Sequence, residues 1–222
     1  HKLQAAGLKE IEVTSYVSPK WVPQMADNVQ VMAGIQRKNN VRYSVLTPNL
    51  QGFDAAVASD KAYWPHEIVV FASASEAFSQ RNINCSIAES IERFRPVVAA
   101  AQAKNIYVRG AISCAVGCPY EGDVSPDKVA MVAELMKSIG VQHIGVADTI
   151  GVGVPSQVTE IIGRARAALP GMRLRAHFHN TRNTGIANAY AAVEAGASAL
   201  DASTGGIGGC PFAPAATGNI PT

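Results

Sequence analysis

Charge is scarce in this chain of 222 residues: Asp, Glu, Lys and Arg make up 16%, with a formal net charge of +2. So small an imbalance, with no basic run along a helix, gives no electrostatic footprint for nucleic acid. No apolar stretch approaches the roughly 20 residues that a membrane-spanning helix needs. Neither nucleic acid nor membrane is therefore an expected partner. Aromatic residues are only 6% of the chain, and Trp21 and Trp64 lack the basic groove of a stacking platform. Both are read as packing or surface residues. Four cysteines, Cys85, Cys114, Cys118 and Cys210, are too few and too scattered for a disulfide framework. Cys114 and Cys118 have no second pair to complete a zinc-finger pattern, so buried thiols in a reducing compartment are expected. No Gly-x-Gly-x-x-Gly follows the first strand pattern, which weakens a dinucleotide-binding fold. The residues His1 to Gly7 read as the end of a helix and not as a signal peptide.

What is present is apolar and periodic. Hydrophobic residues reach 48%, ample for a buried core. Short β-branched runs recur at Glu10–Thr14, Arg42–Thr47, Glu67–Ala72, Ile106–Cys114, His143–Asp148, Leu174–His179 and Ser198–Ala202. Helical patterns separate them and no hairpin signal intervenes, the arrangement that parallel strands require. Ser86 with Glu89 is a capping box opening a helix that Pro96 is expected to kink. Ser125 and Pro126 read as an N-cap and first-turn proline, followed by the stripe Val129, Val132, Met136 and Ile139 and a terminating Gly140. Further amphipathic helices are predicted over residues 156–169 and 183–196.

Seven such units leave an open doubly wound sheet or a barrel missing one unit. Polar residues cluster where many different strands end: Glu12, Thr14 and Ser15; Thr47 and Asn49; Ser73 and Ser75; Ser113 and Cys114; Asp148 and Thr149; His177 and His179; Asp201 and Ser203. A (β/α)8 barrel builds its active site from such strand ends. The expectation is a (β/α)8 TIM barrel, incomplete at about seven βα units, with residues 1–222 forming a single catalytic barrel domain truncated at both ends.

The pair His177 and His179 carries the sharpest chemical signal. On a strand, side chains at i and i+2 leave the same face, so both imidazoles can reach one metal ion. Two core histidines are the alternative. The segment Gly205-Gly206-Ile207-Gly208-Gly209-Cys210-Pro211 then presents a thiol on a glycine-rich loop, although free cysteine is also among the most buried residue types. Asp148 has an alternative role as the cap of the turn that follows it, and Glu12 could face solvent at a rim. Arg109, in mid-strand, needs a partner in an apolar core and is read as structural or supporting.

Ordered segments along the chain carry a resemblance. They are residues 11–24, IEVTSYVSPKWVPQ; Leu46-Thr47-Pro48-Asn49; Asn82-Ile83-Asn84-Cys85-Ser86; and residues 113–122, SCAVGCPYEG. Asp148-Thr149-Ile150-Gly151, Gly208-Gly209-Cys210-Pro211 and Gly218-Asn219 complete the set. With them the chain resembles the hydroxymethylglutaryl-CoA lyases, a branch of the barrel metallolyases that also include isopropylmalate and homocitrate synthases.

The resemblance implies retro-Claisen cleavage of 3-hydroxy-3-methylglutaryl-CoA to acetyl-CoA and acetoacetate, a step of leucine degradation and ketone-body formation. It implies a divalent cation, Mg or Mn, held by His177, His179 and Asn219, and by an aspartate of an Arg-Asp-Gly segment that these residues do not contain. It makes Cys210 the acid that protonates the enolate, His177 a proton relay, and Glu12 and Asp148 inward carboxylates. Ser15, Asn82, Ser113 and Tyr120 become substrate contacts. An acyl-CoA substrate, a homo-dimer, and the bacterial cytoplasm or alternatively the mitochondrial matrix follow in the same way. The rivals are a related lyase or synthase for a different branched substrate, or a non-catalytic CoA-binding homologue. Asn180, Arg182, Asn183 and Ala111 depart from the family pattern, as does the longer, more aromatic segment from Asp60 to His66; acyl preference is the property these changes put in question.

Overall fold

The computed structural model describes residues 2–209, 213 and 218–222. Its elements in chain order begin with α1 (Lys2–Ala5), β1 (Glu10–Ser15), α2 (Asn28–Gly34), β2 (Arg42–Leu46), α3 (Leu50–Ala56) and β3 (Glu67–Ser73). Next come α4 (Glu76–Ile83), α5 (Ile87–Ala103), β4 (Tyr107–Ser113), the two-residue strands β5 (Gly117–Cys118) and β6 (Gly122–Asp123), and α6 (Pro126–Ser138). The series ends with β7 (His143–Asp148), α7 (Pro155–Ala168), β8 (Arg173–Phe178), α8 (Gly185–Glu194) and β9 (Ala199–Asp201).

The main sheet runs β1-β2-β3-β4-β7-β8-β9, and β1–β2, β2–β3, β7–β8 and β8–β9 pair in parallel. Strictly sequential order without a switch point is the order of a (β/α)8 barrel, because a doubly wound sheet reverses direction at its middle. The barrel expectation therefore holds, with seven strands. The short β5–β6 pair is antiparallel and was not expected. Two residues per strand are too few to leave an alternating pattern in the sequence.

The chain divides into two compact units, residues 1–70 with 93–109 and residues 71–92 with 110–222. In the first, Tyr43, Val45, Phe53, Ile68 and Val70 are fully buried. Each such large side chain contributes on the order of 2 kcal/mol. In the second, α6 shows how sequence sets position. Ser125 Oγ accepts the Lys128 N–H at 3.3 Å, Pro126 occupies the first turn, and Gly140 past the helix end takes φ +100°. Val129, Val132 and Met136 are buried, and a Cβ at Gly110 of β4 would lie 2.7 Å from Met136 Cε. The capping box at Ser86 and Glu89 is reciprocal, with N···O distances of 2.8 and 3.2 Å, and α5 continues through Pro96. Cys85, Cys114 and Cys118 are buried, as expected. No helix among the described residues is long and apolar enough to cross a membrane.

Candidate metal centre

The strand β8 delivers His177 near its C-terminal end, and His179 follows one residue beyond it. The two Nε2 atoms stand 3.4 Å apart. The tautomers follow from the other ring nitrogens. His179 Nδ1 lies 3.0 Å from the Gly218 carbonyl oxygen, which only accepts, so Nδ1 carries the proton. His177 Nδ1 is 3.4 Å from Asp201 Oδ2, and the carboxylate favours a proton there too. Both Nε2 atoms then present lone pairs to the same small space, an arrangement that a cation relieves. Burial first, and then the proximity of His177, lowers the pKa of His179 to about 4, which keeps it neutral and able to ligate.

Asn219 reaches this place from a distant part of the chain. It forms an isolated antiparallel bridge with His179, and its N–H donates to the Gly206 carbonyl at 2.8 Å. Its Nδ2 donates to the Ile207 carbonyl at 3.2 Å, and its Oδ1 is buried without a hydrogen-bond partner among the described residues. A buried acceptor with no donor costs about 1–3 kcal/mol, and a cation would satisfy it. The glycine loop permits the approach. At Gly206, with φ +71°, an added Cβ would sit 3.0 Å from the Asn219 carbonyl oxygen, so both the backbone region and the space require glycine.

Two imidazoles and an amide oxygen fit a divalent cation that keeps open positions. No group of three or more His, Cys, Asp or Glu side chains is placed to hold a metal among the described residues. Sequence reading did not assign a role to Asp201. It faces His177 across the β8–β9 register, with Oδ1 fixed by Arg175 Nη1 at 2.6 Å. A pairing register between strands separated by a helix is not legible in the sequence, so Asp201 stands out there only as a polar strand-end residue and not as the partner of His177.

Asp148 is fully buried at the end of β7. Its oxygens accept the Val152 and Gly153 N–H groups at 3.2 and 2.8 Å, and burial raises its pKa against these bonds. The turn so held abuts the residues after β8: a Cβ on Gly151 would meet Thr181 Oγ1 and lie 2.9 Å from the His179 carbonyl oxygen. Of the proposed substrate contacts, Tyr120 stacks on Phe78 with centroids 6.3 Å apart, and the Arg81 guanidinium lies 4.2 Å over its ring. Asn82 is the neighbour of that arginine on α4 and is half-buried, as is Ser113 at the end of β4. These residues belong to the unit that contains the histidines.

Glu12 and Ser15 belong to the other unit. Glu12 Oε2 accepts from Arg109 Nη2 at 2.6 Å, and Arg109 Nε donates to Glu67 Oε1 at 3.0 Å. Arg109 and Glu67 are 3% and 2% exposed, so the mid-strand arginine has the partners that an apolar core demands. Ser15 Oγ is buried without a hydrogen-bond partner among the described residues. Cys210 lies outside the described residues.

Known proteins are similar to this chain over nearly its whole length. A 3-hydroxy-3-isohexenylglutaryl-CoA/hydroxymethylglutaryl-CoA lyase of Pseudomonas aeruginosa is 50% identical over 218 residues, 98% of this chain and 71% of the relative. The mitochondrial hydroxymethylglutaryl-CoA lyase of Homo sapiens is 49% identical over 220 residues, 99% of this chain and 66% of the relative. The chain thus spans about two thirds of the length of these relatives. A crystal structure of the hydroxymethylglutaryl-CoA lyase from Pseudomonas aeruginosa superposes with TM-score 0.92, covering 99% of this chain and 72% of that one at 50% identity. A lyase from Acinetobacter baumannii in complex with coenzyme A and 3-methylmalate also gives 0.92, at 37% identity and 99% and 70% coverage. The HMGL-like family model matches residues 1–222, and the chain belongs to that family.

Proposed function

We propose that the protein of which these residues are part is a divalent-metal-dependent lyase that cleaves 3-hydroxy-3-methylglutaryl-CoA to acetyl-CoA and acetoacetate. The observation that carries this reading is the pair of Nε2 atoms 3.4 Å apart, with Asn219 bridged to His179 and its buried Oδ1 without a hydrogen-bond partner among the described residues. The names of relatives near 50% identity supply the substrate class. The whole chain is read as part of one catalytic barrel domain. It would act in the bacterial cytoplasm, with the mitochondrial matrix as the alternative, and as a homo-dimer.

The reaction removes the proton of a tertiary hydroxyl, collapses that oxygen to a ketone, and breaks the adjacent C–C bond. The bond's electron pair passes to the thioester as an enolate, which must receive a proton at carbon. His177, His179 and Asn219 would hold the Mg or Mn ion, which would supply polarisation of the substrate's oxygens. Asp201 fixes the ring of His177 and favours its protonated Nδ1, which leaves Nε2 to face the metal. The proton-relay role that the resemblance implies for His177 would require that Nε2 be released from the metal to take up the hydroxyl proton. Asp148 holds the turn over residues 151–153 and through it shapes the stretch behind His179. Cys210 donates the proton that converts the enolate to acetyl-CoA, and Glu12, steadied by Arg109, orders the polar shell on β1. Ser15, Asn82, Ser113 and Tyr120 contact the acyl-CoA.

A second substrate has a specific observation behind it. The Pseudomonas relative is named for both 3-hydroxy-3-isohexenylglutaryl-CoA and hydroxymethylglutaryl-CoA, and this chain departs from the family pattern at Ala111, Asn180, Arg182 and Asn183. Steady-state cleavage of both thioesters by the full-length protein tests the assignment. Release of acetyl-CoA from the methyl substrate at the higher kcat/KM supports it. Preference for the isohexenyl thioester moves the protein to the second substrate, and turnover of neither returns it to a non-catalytic CoA-binding role.

A further inference from the structure

The segment from Asp60 to His66, which the proposed lyase chemistry leaves unused, forms one wall of a cavity of about 890 Å³ in the first unit. The cavity opens where β1, β2 and β4 begin, among Glu10, Arg42 and Tyr107. The histidine pair, by contrast, lies at the C-terminal end of β8. Six cationic side chains line it, Lys9, Arg37, Lys38, Arg42, Lys61 and Lys104, against one carboxylate, Glu10. In a chain whose net charge is only +2, this is a strong local concentration of one sign.

The wall is held in place. Arg37 donates to the Trp64 and Tyr63 carbonyls at 2.6 and 2.7 Å. Trp64 Nε1 donates to the Ser59 carbonyl at 2.9 Å, and Asp60 Oδ1 accepts the Ala62 N–H at 2.9 Å. Lys104 Nζ rests 4.6 Å over the Trp64 ring, and the Arg42 guanidinium rests 4.9 Å over Tyr107. The aromatic faces thus seat cations and are not left for a stacking base. Arg37 is committed to carbonyls, and Arg42 to Glu67 and Glu10 at 3.3 and 3.7 Å. Lys9, Lys38, Lys61 and Lys104 form no ion pair among the described residues. Four separate segments therefore bring an ammonium group without an ion pair to one concave space, Lys104 resting on the Trp64 ring. Burial, then Arg37 and Arg42, lowers the pKa of His66 in the same wall.

We propose that this cavity is a second ligand site, selective for a small molecule bearing a diphosphate group. Four mobile point charges suit a diphosphate, which carries about three negative charges, better than a single carboxylate. The volume lies within the roughly 300–1,000 Å³ of small-molecule sites. The basic surface is concave and local, which argues against an extended nucleic acid. The inference stands independently of the lyase assignment.

Calorimetric titration of the intact protein with inorganic pyrophosphate, and separately with ADP, at fixed ionic strength tests it. The expected result is saturable one-to-one binding, weakened at least about tenfold in Lys61→Glu/Lys104→Glu. Lys61→Arg/Lys104→Arg should retain it, and Lys9→Ala/Lys38→Ala provides a second weakened variant if charge reversal impairs folding. ADP binding at least about tenfold tighter than pyrophosphate would identify a nucleotide as the source, and equal affinities the inorganic anion. Absence of saturation, equal affinity in wild type and both weakened variants, or loss of binding in His177→Ala would overturn the proposal; in the last case the anion sits at the metal centre.

Discussion

His177 and Asp201 face each other across neighbouring strands, Nδ1 to Oδ2 at 3.4 Å, with Arg175 holding the other carboxylate oxygen at 2.6 Å. The ring that points Nε2 at His179 is thus oriented from behind by a carboxylate that is itself anchored.

Asp201→Asn keeps the shape and removes the charge that favours the Nδ1 proton. Manganese affinity, measured by electron paramagnetic resonance titration, should fall by about 10- to 100-fold, the scale for a residue that orients a metal ligand. Unchanged affinity would make Asp201 a simple partner of Arg175.

Cys210 should separate chemistry from metal binding. With Cys210→Ser we expect turnover lower by about two to four orders of magnitude, the usual contribution of a positioned acid or base, and an unchanged metal dissociation constant. A near-normal rate would return Cys210 to a packing role.

Arg109 and Glu67 form a buried pair at 3.0 Å, with Glu12 on the outer side at 2.6 Å. Arg109→Met would leave the Glu67 carboxylate buried without its main counter-charge. The expected loss in chemical denaturation is about 3–5 kcal/mol, as when one partner of a buried pair is removed. A change below about 1 kcal/mol would show that Arg42 and solvent suffice for Glu67.

In metal-free protein, His179 titrates near pH 4 when folded and near 6.5 when unfolded. Between these values the unfolded state binds more protons, so stability rises with pH across that window and is lost as pH falls through it. Asp148 works in the opposite sense: its folded pKa is raised, so its contribution is present at low pH and lost as pH rises through that value. The difference between wild type and His179→Gln isolates the histidine. The melting temperature of metal-free wild type should drop more steeply than that of the variant between about pH 6.5 and 4, and parallel curves would contradict the assignment.

Much of this architecture is written locally. The seven main strands fall within a residue or two of their β-branched runs, because barrel strands are buried on both faces and read as continuous apolar stretches. Ser86, Ser125 and Gly140 mark helix ends through hydrogen bonds that span three or four residues, so they too are legible. The histidine pair is visible because i and i+2 share a face. Asp201 was missed as a partner of His177 because the register linking β8 to β9 depends on tertiary packing across α8. The partners of Arg109 lie 42 and 97 residues away; the sequence demanded them without saying which they were. The β5–β6 pair is too short to signal itself. Asn219 was placed by resemblance alone, and its orphaned Oδ1 is a property of the folded loop.

The most direct test of the account is cleavage of 3-hydroxy-3-methylglutaryl-CoA by full-length protein stripped of metal and titrated with manganese, beside His179→Ala. The account predicts no turnover without metal, activity saturating at one equivalent, and neither tight metal binding nor turnover in a folded His179→Ala. Full activity after exhaustive chelation, or unaltered metal stoichiometry and rate in His179→Ala, would contradict it.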